Sequence, residues 1–98
     1  MIRGTTPTIE FNLPFAASSF SEFYITFSQN GNVRFEKTQK DCVILDSKIT
    51  VTLSQNDTLK LKSDYIKIQI RGKTKANDVL ASNIMIDYVN DVLKEGVI

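Results

Sequence analysis

Apolar side chains recur at every second position through most of the chain. In residues 65–73, for example, Ile66, Ile68 and Ile70 alternate with polar side chains. Successive side chains of a strand point to opposite faces of a sheet, so this period predicts half-buried β-strands. The pattern predicts seven strands, at residues 6–13, 23–29, 32–38, 42–45, 48–53, 65–73 and 79–88.

The same alternation predicts which side chains face the core. Cys42, the only cysteine, has no partner for an internal disulfide, and we expect it to act as a small core side chain. The other expected inward-facing residues are Ile9, Phe11, Leu13, Phe23, Ile25, Phe27, Val33, Phe35, Ile49, Val51, Leu53, Ile66, Ile68, Ile70, Leu80, Ile84 and Ile86.

Local signals predict where the strands turn. Asn30-Gly31 is typical of a type I′ hairpin, because both positions of that turn need a positive φ. Ser54 followed by Asp57 has the spacing of a helix cap and predicts one helical turn. Pro7 and Pro14 bracket the first strand and favour an edge position for it, since proline cannot donate to a sheet ladder.

Short strands separated by turn signals, with no sustained helical period, are typical of an all-β protein. We expect an immunoglobulin-like antiparallel β-sandwich of about seven strands, with an up-and-down barrel as the alternative. Residues 1–88 are predicted to form this one domain. Residues 89–98 depart from the strand pattern and are predicted to form a C-terminal tail or a short helix.

Charge and length narrow the partners that we expect. The 98 residues suit one domain, and twelve Lys and Arg against eleven Asp and Glu give a net charge of +1. That balance lacks the excess positive charge that phosphate backbones or anionic membranes select, so we expect neither nucleic acid nor a membrane as partner. We also expect no membrane-spanning segment.

Catalytic chemistry has little to build on in this sequence. The absence of histidine excludes a Ser-His-Asp or Cys-His arrangement and, with a single cysteine, an ordinary zinc site. Asp87 and Asp91 are a conceivable carboxylate pair, but we interpret them as solvated charges. We therefore expect no enzyme and no cofactor.

Two regions are candidates for protein binding. The C-terminal segment holds more apolar side chains than a free tail needs, so it either packs back on the sandwich or docks on a neighbour. Residues 60–75 are rich in lysine, which protects a strand edge and keeps its face soluble, or contacts an acidic partner. The predicted protein-binding residues are Tyr88, Val89, Val92, Leu93, Val97, Ile98, Lys67 and Arg71.

Several segments carry a resemblance to known proteins. They are residues 3–8, 25–31 (Ile-Thr-Phe-Ser-Gln-Asn-Gly), 53–59, 68–71 and 81–84. Together they resemble small proteins encoded in phages and prophages of gut Firmicutes, and more distantly the N-terminal immunoglobulin-like domain of phage baseplate upper proteins. The resemblance covers nearly the whole chain and implies a fold and a setting, not a catalytic site.

The resemblance implies a non-enzymatic virion structural protein, made in the host bacterial cytoplasm. We expect it to bind copies of itself and other phage structural proteins, as a homo-oligomer in a tail, neck or capsid-decoration position. The long receptor-binding extension of baseplate proteins is not present, which favours an adaptor or decoration subunit. The alternative is a phage-encoded inhibitor that binds a host defence protein through the lysine-rich face.

Overall fold

Eight strands form two antiparallel sheets in the computed structural model, which describes residues 1–98. The one α-helix, α1, is a single turn at Gln55–Leu59, and short 3-10 turns lie at Ala17–Ser19 and Gln39–Asp41. The strands are β1 (Thr8–Asn12), β2 (Phe20–Gln29), β3 (Asn32–Thr38), β4 (Cys42–Leu45), β5 (Lys48–Thr52), β6 (Tyr65–Thr74), β7 (Val79–Ala81) and β8 (Met85–Tyr88).

The strands divide between a narrow and a wide sheet. The three-stranded sheet has the order β1-β5-β4. The five-stranded sheet has the order β3-β2-β6, and β7 and β8 both pair with the free edge of the long strand β6. Two separate sheets make this an all-β sandwich and not a closed barrel. The edge position predicted for the first strand is confirmed.

The core fills the space between the sheets. Its members come from both of them, with Phe11, Ile49 and Val51 on the narrow sheet facing the alternating apolar residues of β2 and β6 on the wide one. The inward positions predicted for the second, fifth and sixth strands are confirmed, because all of these side chains are buried: Phe23, Ile25, Phe27, Ile49, Val51, Leu53, Ile66, Ile68 and Ile70.

Polar backbone groups at the ends of the sandwich find side-chain partners. The fully buried Gln29 amide donates to the Lys62 carbonyl at 2.8 Å and accepts from the Lys62 N–H at 2.9 Å. This pair of bonds joins the end of β2 to the loop before β6, and it satisfies a buried polar side chain where the strand ends.

The predicted turns are confirmed. Asn30 and Gly31 have φ angles of 52° and 76°, which give the hairpin between β2 and β3 its type I′ geometry. Ser54 Oγ accepts from the Asp57 N–H at 3.1 Å, and the Ser54 N–H donates to Asp57 Oδ2 at 2.9 Å. This reciprocal capping box starts α1.

The last predicted strand is wrong as a single element. It is interrupted at residues 82–84, where Ser82 Oγ accepts the Ile70 N–H that a strand carbonyl would otherwise accept. β7 and β8 are therefore short, separate edge strands.

Four predicted core residues are also misplaced. Leu80, Ile84 and Ile86 are exposed, and so is Val33 on β3. Ile86 pairs with the outward-facing Lys67, and β7 and β8 extend beyond the narrower opposing sheet. Phe35, Ile9, Leu13 and Cys42 are half-buried and pack against the core.

Residues 89–98 contain no helix, so of the two predicted forms this segment takes that of a tail. One further expectation needs correction. The lysine-rich strand β6 is central, between β2 and the β7–β8 edge, so its lysines do not protect a sheet edge.

Candidate functional site

The outward surface of the wide sheet is the broadest regular face of the molecule. Cross-strand partners share a face, so the register defines its rows. Glu22 lies beside Lys73, Tyr24 beside Arg71, and Ser28 beside Lys67. We call this surface the outer face; its residues are Glu22, Tyr24, Thr26, Ser28, Val33, Glu36, Lys67, Gln69, Arg71, Lys73, Val79, Ala81 and Ile86.

Charges on the outer face are segregated by strand. The carboxylates Glu22 and Glu36 lie on β2 and β3, whereas β6 carries Lys67, Arg71 and Lys73. None of these five residues takes part in an ion pair within the chain. The face is thus acidic on one side and basic on the other.

A shallow depression marks the middle of the outer face. It encloses about 290 Å³ and is lined by positively and negatively charged residues together with Tyr24 and Val79. Glu36 Oε2 accepts from Thr26 Oγ1 at 2.8 Å, and Tyr24 Oη donates to Glu22 Oε2 at 3.4 Å. The depression therefore offers both carboxylates and cations to an incoming group.

An apolar strip borders the outer face along β7 and β8. Ile86 is 65% exposed and Val79 56%, and the Tyr65 and Tyr88 rings meet edge to face with centroids 5.1 Å apart. We call this the β7–β8 strip; its exposed members are Tyr65, Val79, Leu80, Ile84, Met85, Ile86 and Tyr88. Val79 and Ile86 face outward beside Lys73 and Lys67, whereas Leu80 and Met85 pair with the buried Gly72 and Ile68 and face the other side of the sheet. Exposed apolar side chains clustered next to charged ones are typical of a protein-binding site.

The narrow sheet has an apolar edge of its own. On β4, Val43, Ile44 and Leu45 are exposed, and no charged residue lies within the strand. An uncharged edge strand is open to pairing with another strand. The sequence identified this segment as apolar, but the alternation rule could not distinguish a short edge strand from a buried one.

A groove runs between the edges of the two sheets. It encloses about 450 Å³ and extends from the residues after β1 to β7 and the residues that follow it. Phe15, Phe20, Ile70 and Leu80 are among its lining residues, and no charged residue is among them.

The C-terminal tail packs against its own chain. Val89 is fully buried in the core, one residue beyond the predicted domain boundary, and its N–H donates to the Asp64 carbonyl at 2.9 Å. Asn90 forms a parallel bridge with Ile2. Tail and N-terminal segment therefore close the same end of the sandwich.

Arg3 anchors this junction. Its guanidinium donates to Asp91 at 2.8 Å, to Glu95 at 2.7 Å and to the carbonyls of Leu59 and Leu61. Hydrogen bonds from the Val92 N–H and from Arg3 hold the pKa of Asp91 below its ordinary value. Asp87 and Asp91, the conceivable carboxylate pair, make separate contacts: Asp87 accepts from the Met1 amino group and Asp91 from Arg3.

The end of the tail reaches α1. The Gln55 side chain accepts from the Ile98 N–H at 2.8 Å and donates to the Ile98 carbonyl at 3.0 Å. Val92 is half-buried beside Gly4, whereas Leu93, Val97 and Ile98 remain exposed. The tail is held at several points, with apolar side chains left in solvent.

The predicted binding residues thus separate into three groups. Lys67, Arg71 and Tyr88 lie on or beside the outer face, where Ile86 and Tyr65 join them. Val89 belongs to the core. The remaining predicted residues lie along the tail: Val92, Leu93, Val97 and Ile98.

One ion pair is largely buried. Lys37 Nζ lies 2.8 Å from Asp57 Oδ2 and joins β3 to the cap of α1. Burial alone raises the pKa of Asp57, but hydrogen bonds from Lys37 and Ser54 outweigh it and hold the pKa below its ordinary value. The pair is placed to stabilise the fold and has no adjoining cavity.

Cys42 has an unreactive environment. Burial, with a smaller contribution from Asp41, raises the pKa of the thiol to about 11. Its Sγ contacts the Thr38 carbonyl at 3.3 Å. Since the thiolate is the nucleophilic form, this side chain is a poor nucleophile at neutral pH.

No group of three or more histidine, cysteine or acidic side chains is placed to hold a metal ion. No helix is long and apolar enough to cross a bilayer. Comparisons of the chain with protein-family models, with curated proteins and with solved structures gave no match. The fold and surfaces therefore define only a class, a small all-β sandwich with exposed apolar and charged faces.

Proposed function

We propose that this chain is a non-enzymatic binding module whose contact surface is the outer face together with the β7–β8 strip. The observation that carries the proposal is the strip itself, seven exposed apolar or aromatic side chains along one sheet edge. An isolated exposed apolar residue needs no explanation, but seven of them along one sheet edge, next to complementary charges, favour a protein partner.

The strand order supports an immunoglobulin-like assignment. In that fold, strands B, E and D form one sheet and C′, C, F and G the other. Here the strand order β1-β5-β4 matches B-E-D, and the strand order β3-β2-β6-β7 matches C′-C-F-G. Strand β1 takes the place of strand B, and no strand takes the place of A. The interrupted β7–β8 edge takes the position of strand G.

We further propose that the setting is a bacteriophage particle, in which the chain is a structural subunit of the tail, neck or capsid surface. The support for this setting is the sequence resemblance described above. A sandwich with two apolar sheet edges suits such a role, because repeated subunit contacts use exposed surfaces of this kind.

Quantitative mass spectrometry of purified particles tests the setting. We expect the chain at a fixed ratio to the major capsid protein in particles of a phage that encodes it. Ile86→Lys should reduce the number of copies, because it places a charge in the β7–β8 strip. Ser63→Lys, which adds the same charge at an exposed loop position, should leave the number unchanged.

Absence of the chain from particles, despite expression during infection, would contradict the structural role. The alternative is then an inhibitor of a host defence protein that uses the basic side of the outer face. In that case Lys67→Glu and Arg71→Glu should abolish a stable complex with the host protein.

A further inference from the structure

The outer face is complementary to itself in charge. Glu22 and Lys73 form one row across β2 and β6, and Tyr24 and Arg71 form the next. All four side chains are exposed. A twofold axis that runs along the strands between β2 and β6 would exchange these two strands between copies.

We propose that a second copy of this chain packs on the outer face about such an axis, with β2 of each copy over β6 of the other. Glu22 then lies opposite the partner copy's Lys73, and Tyr24 opposite its Arg71. Opposite charges meet in the first row, and a guanidinium meets an aromatic ring in the second. The proposal rests on the binding function proposed above for the outer face, and it names the partner and the geometry.

Charge also selects this axis over the other that the sheet allows. A twofold axis across the strands, between the same two rows, would place Lys73 opposite the partner copy's Arg71. Like charges in direct opposition disfavour that arrangement.

The size of the face predicts a weak dimer. The outer face is seven residues long, at about 3.3 Å per residue, and four strands wide, at about 4.8 Å per strand. These dimensions give a flat area of about 400 Å² per copy. Two such faces bury about 800 Å² in total, less than the roughly 1,200–2,000 Å² of stable interfaces and within the range of weak, transient ones. We therefore expect reversible association, at micromolar or weaker affinity, that a multi-copy assembly strengthens by adding contacts.

A charge-exchange mixing experiment tests the geometry. In a dimer of Glu22→Lys, the introduced positive charge faces the partner copy's Lys73 at both symmetric contacts. In a dimer of Lys73→Glu, the introduced negative charge faces the partner copy's Glu22 at both contacts. Each variant alone should be monomeric, with self-association weakened by at least about tenfold. An equimolar mixture of the two should form a heterodimer, since every contact then joins opposite charges.

Native mass spectrometry and sedimentation equilibrium measure these species. Glu22 and Lys73 are also neighbours within one chain, so a single substitution changes folding stability as well, but loss of stability cannot generate a heterodimer. The control pair is Glu10→Lys with Lys48→Glu, which reverses an exposed ion pair of 3.6 Å on the narrow sheet. Mixing the control variants should give no heterodimer.

Two results would overturn this inference. One is a wild-type chain that stays monomeric at submillimolar concentration, and the other is a wild-type dimer that both outer-face substitutions leave intact. Either result is compatible with the chain being present in particles. The mixing experiment and the particle measurement therefore fail independently.

Discussion

Individual residues stabilise the fold where secondary structure alone leaves groups unpaired. Asp57 is the clearest case, because one carboxylate caps α1 through Ser54 and pairs with Lys37 of β3. Removing one partner of a largely buried ion pair leaves the other charge without compensation. The loss of a single carboxylate therefore affects two elements at once.

We expect Asp57→Asn to lower the free energy of unfolding at neutral pH by about 2 kcal/mol. The pKa of Asp57 is depressed in the folded state. Its contribution is then complete above the unfolded pKa of about 4 and is lost as the pH falls through the lower folded value. Urea unfolding of both proteins should show a difference that shrinks below about pH 4.

Asp78→Asn is the matched control, since Asp78 is exposed and forms no ion pair. Its effect should be small at every pH. A difference between wild type and Asp57→Asn that stays constant down to about pH 2 would contradict a role for the ionised carboxylate.

At the scale of elements, the sequence predicts central strands better than edge strands. β2, β5 and β6 are flanked on both sides, so one face of each must pack on the core, and strict alternation follows from that requirement. β7 and β8 lie beyond the narrow sheet and carry apolar residues on both faces. The alternation rule therefore predicts Leu80 and Ile84 in a core that does not extend to them, and it predicts Ile86 to face inward although it pairs with outward-facing Lys67.

The candidate site was predictable only in part, for the same reason. Lys67 and Arg71 follow from the outward positions of a regular strand. Ile86 and Tyr65 were missed as contact residues because only the pairing of β6 with β8 brings them together. The sequence assigns Val89 to the tail because a single apolar residue after a strand gives no local sign of burial.

The two parts of the C-terminal tail, up to Asn90 and after it, should contribute very differently to the stability of the fold. We expect a variant that ends at Asn90 to remain close to full-length stability, since exposed ion pairs such as Arg3 with Asp91 contribute little. A variant that ends at Tyr88 also loses the buried Val89 and should be destabilised by a further 2 kcal/mol or so. Thermal unfolding followed by circular dichroism measures both.

Val89→Ala in the full-length chain separates burial from chain length. It should reproduce about half or more of the additional loss, because it removes most of the buried side chain and leaves a cavity. Equal stability of the two truncated variants would show that Val89 does not contribute to the core.

The whole molecule combines a net charge close to zero with exposed apolar surface at two sheet edges. Its isoelectric point is about 7.8, so electrostatic repulsion between copies is weakest slightly above neutral pH. The β7–β8 strip and the β4 edge are then free to associate without specificity. We expect a solubility minimum near pH 7.8, measured as soluble protein after equilibration with a precipitating salt.

Ile86→Lys should raise solubility at this minimum more than Ser63→Lys does. Both substitutions add one positive charge and shift the isoelectric point equally, but only the first removes apolar surface from the β7–β8 strip, where Ile86 is 65% exposed. Melting temperatures should stay close to wild type, because neither side chain is buried. If both variants gained solubility equally, net charge alone would govern this nonspecific association, and the apolar surface of the β7–β8 strip would have no part in it.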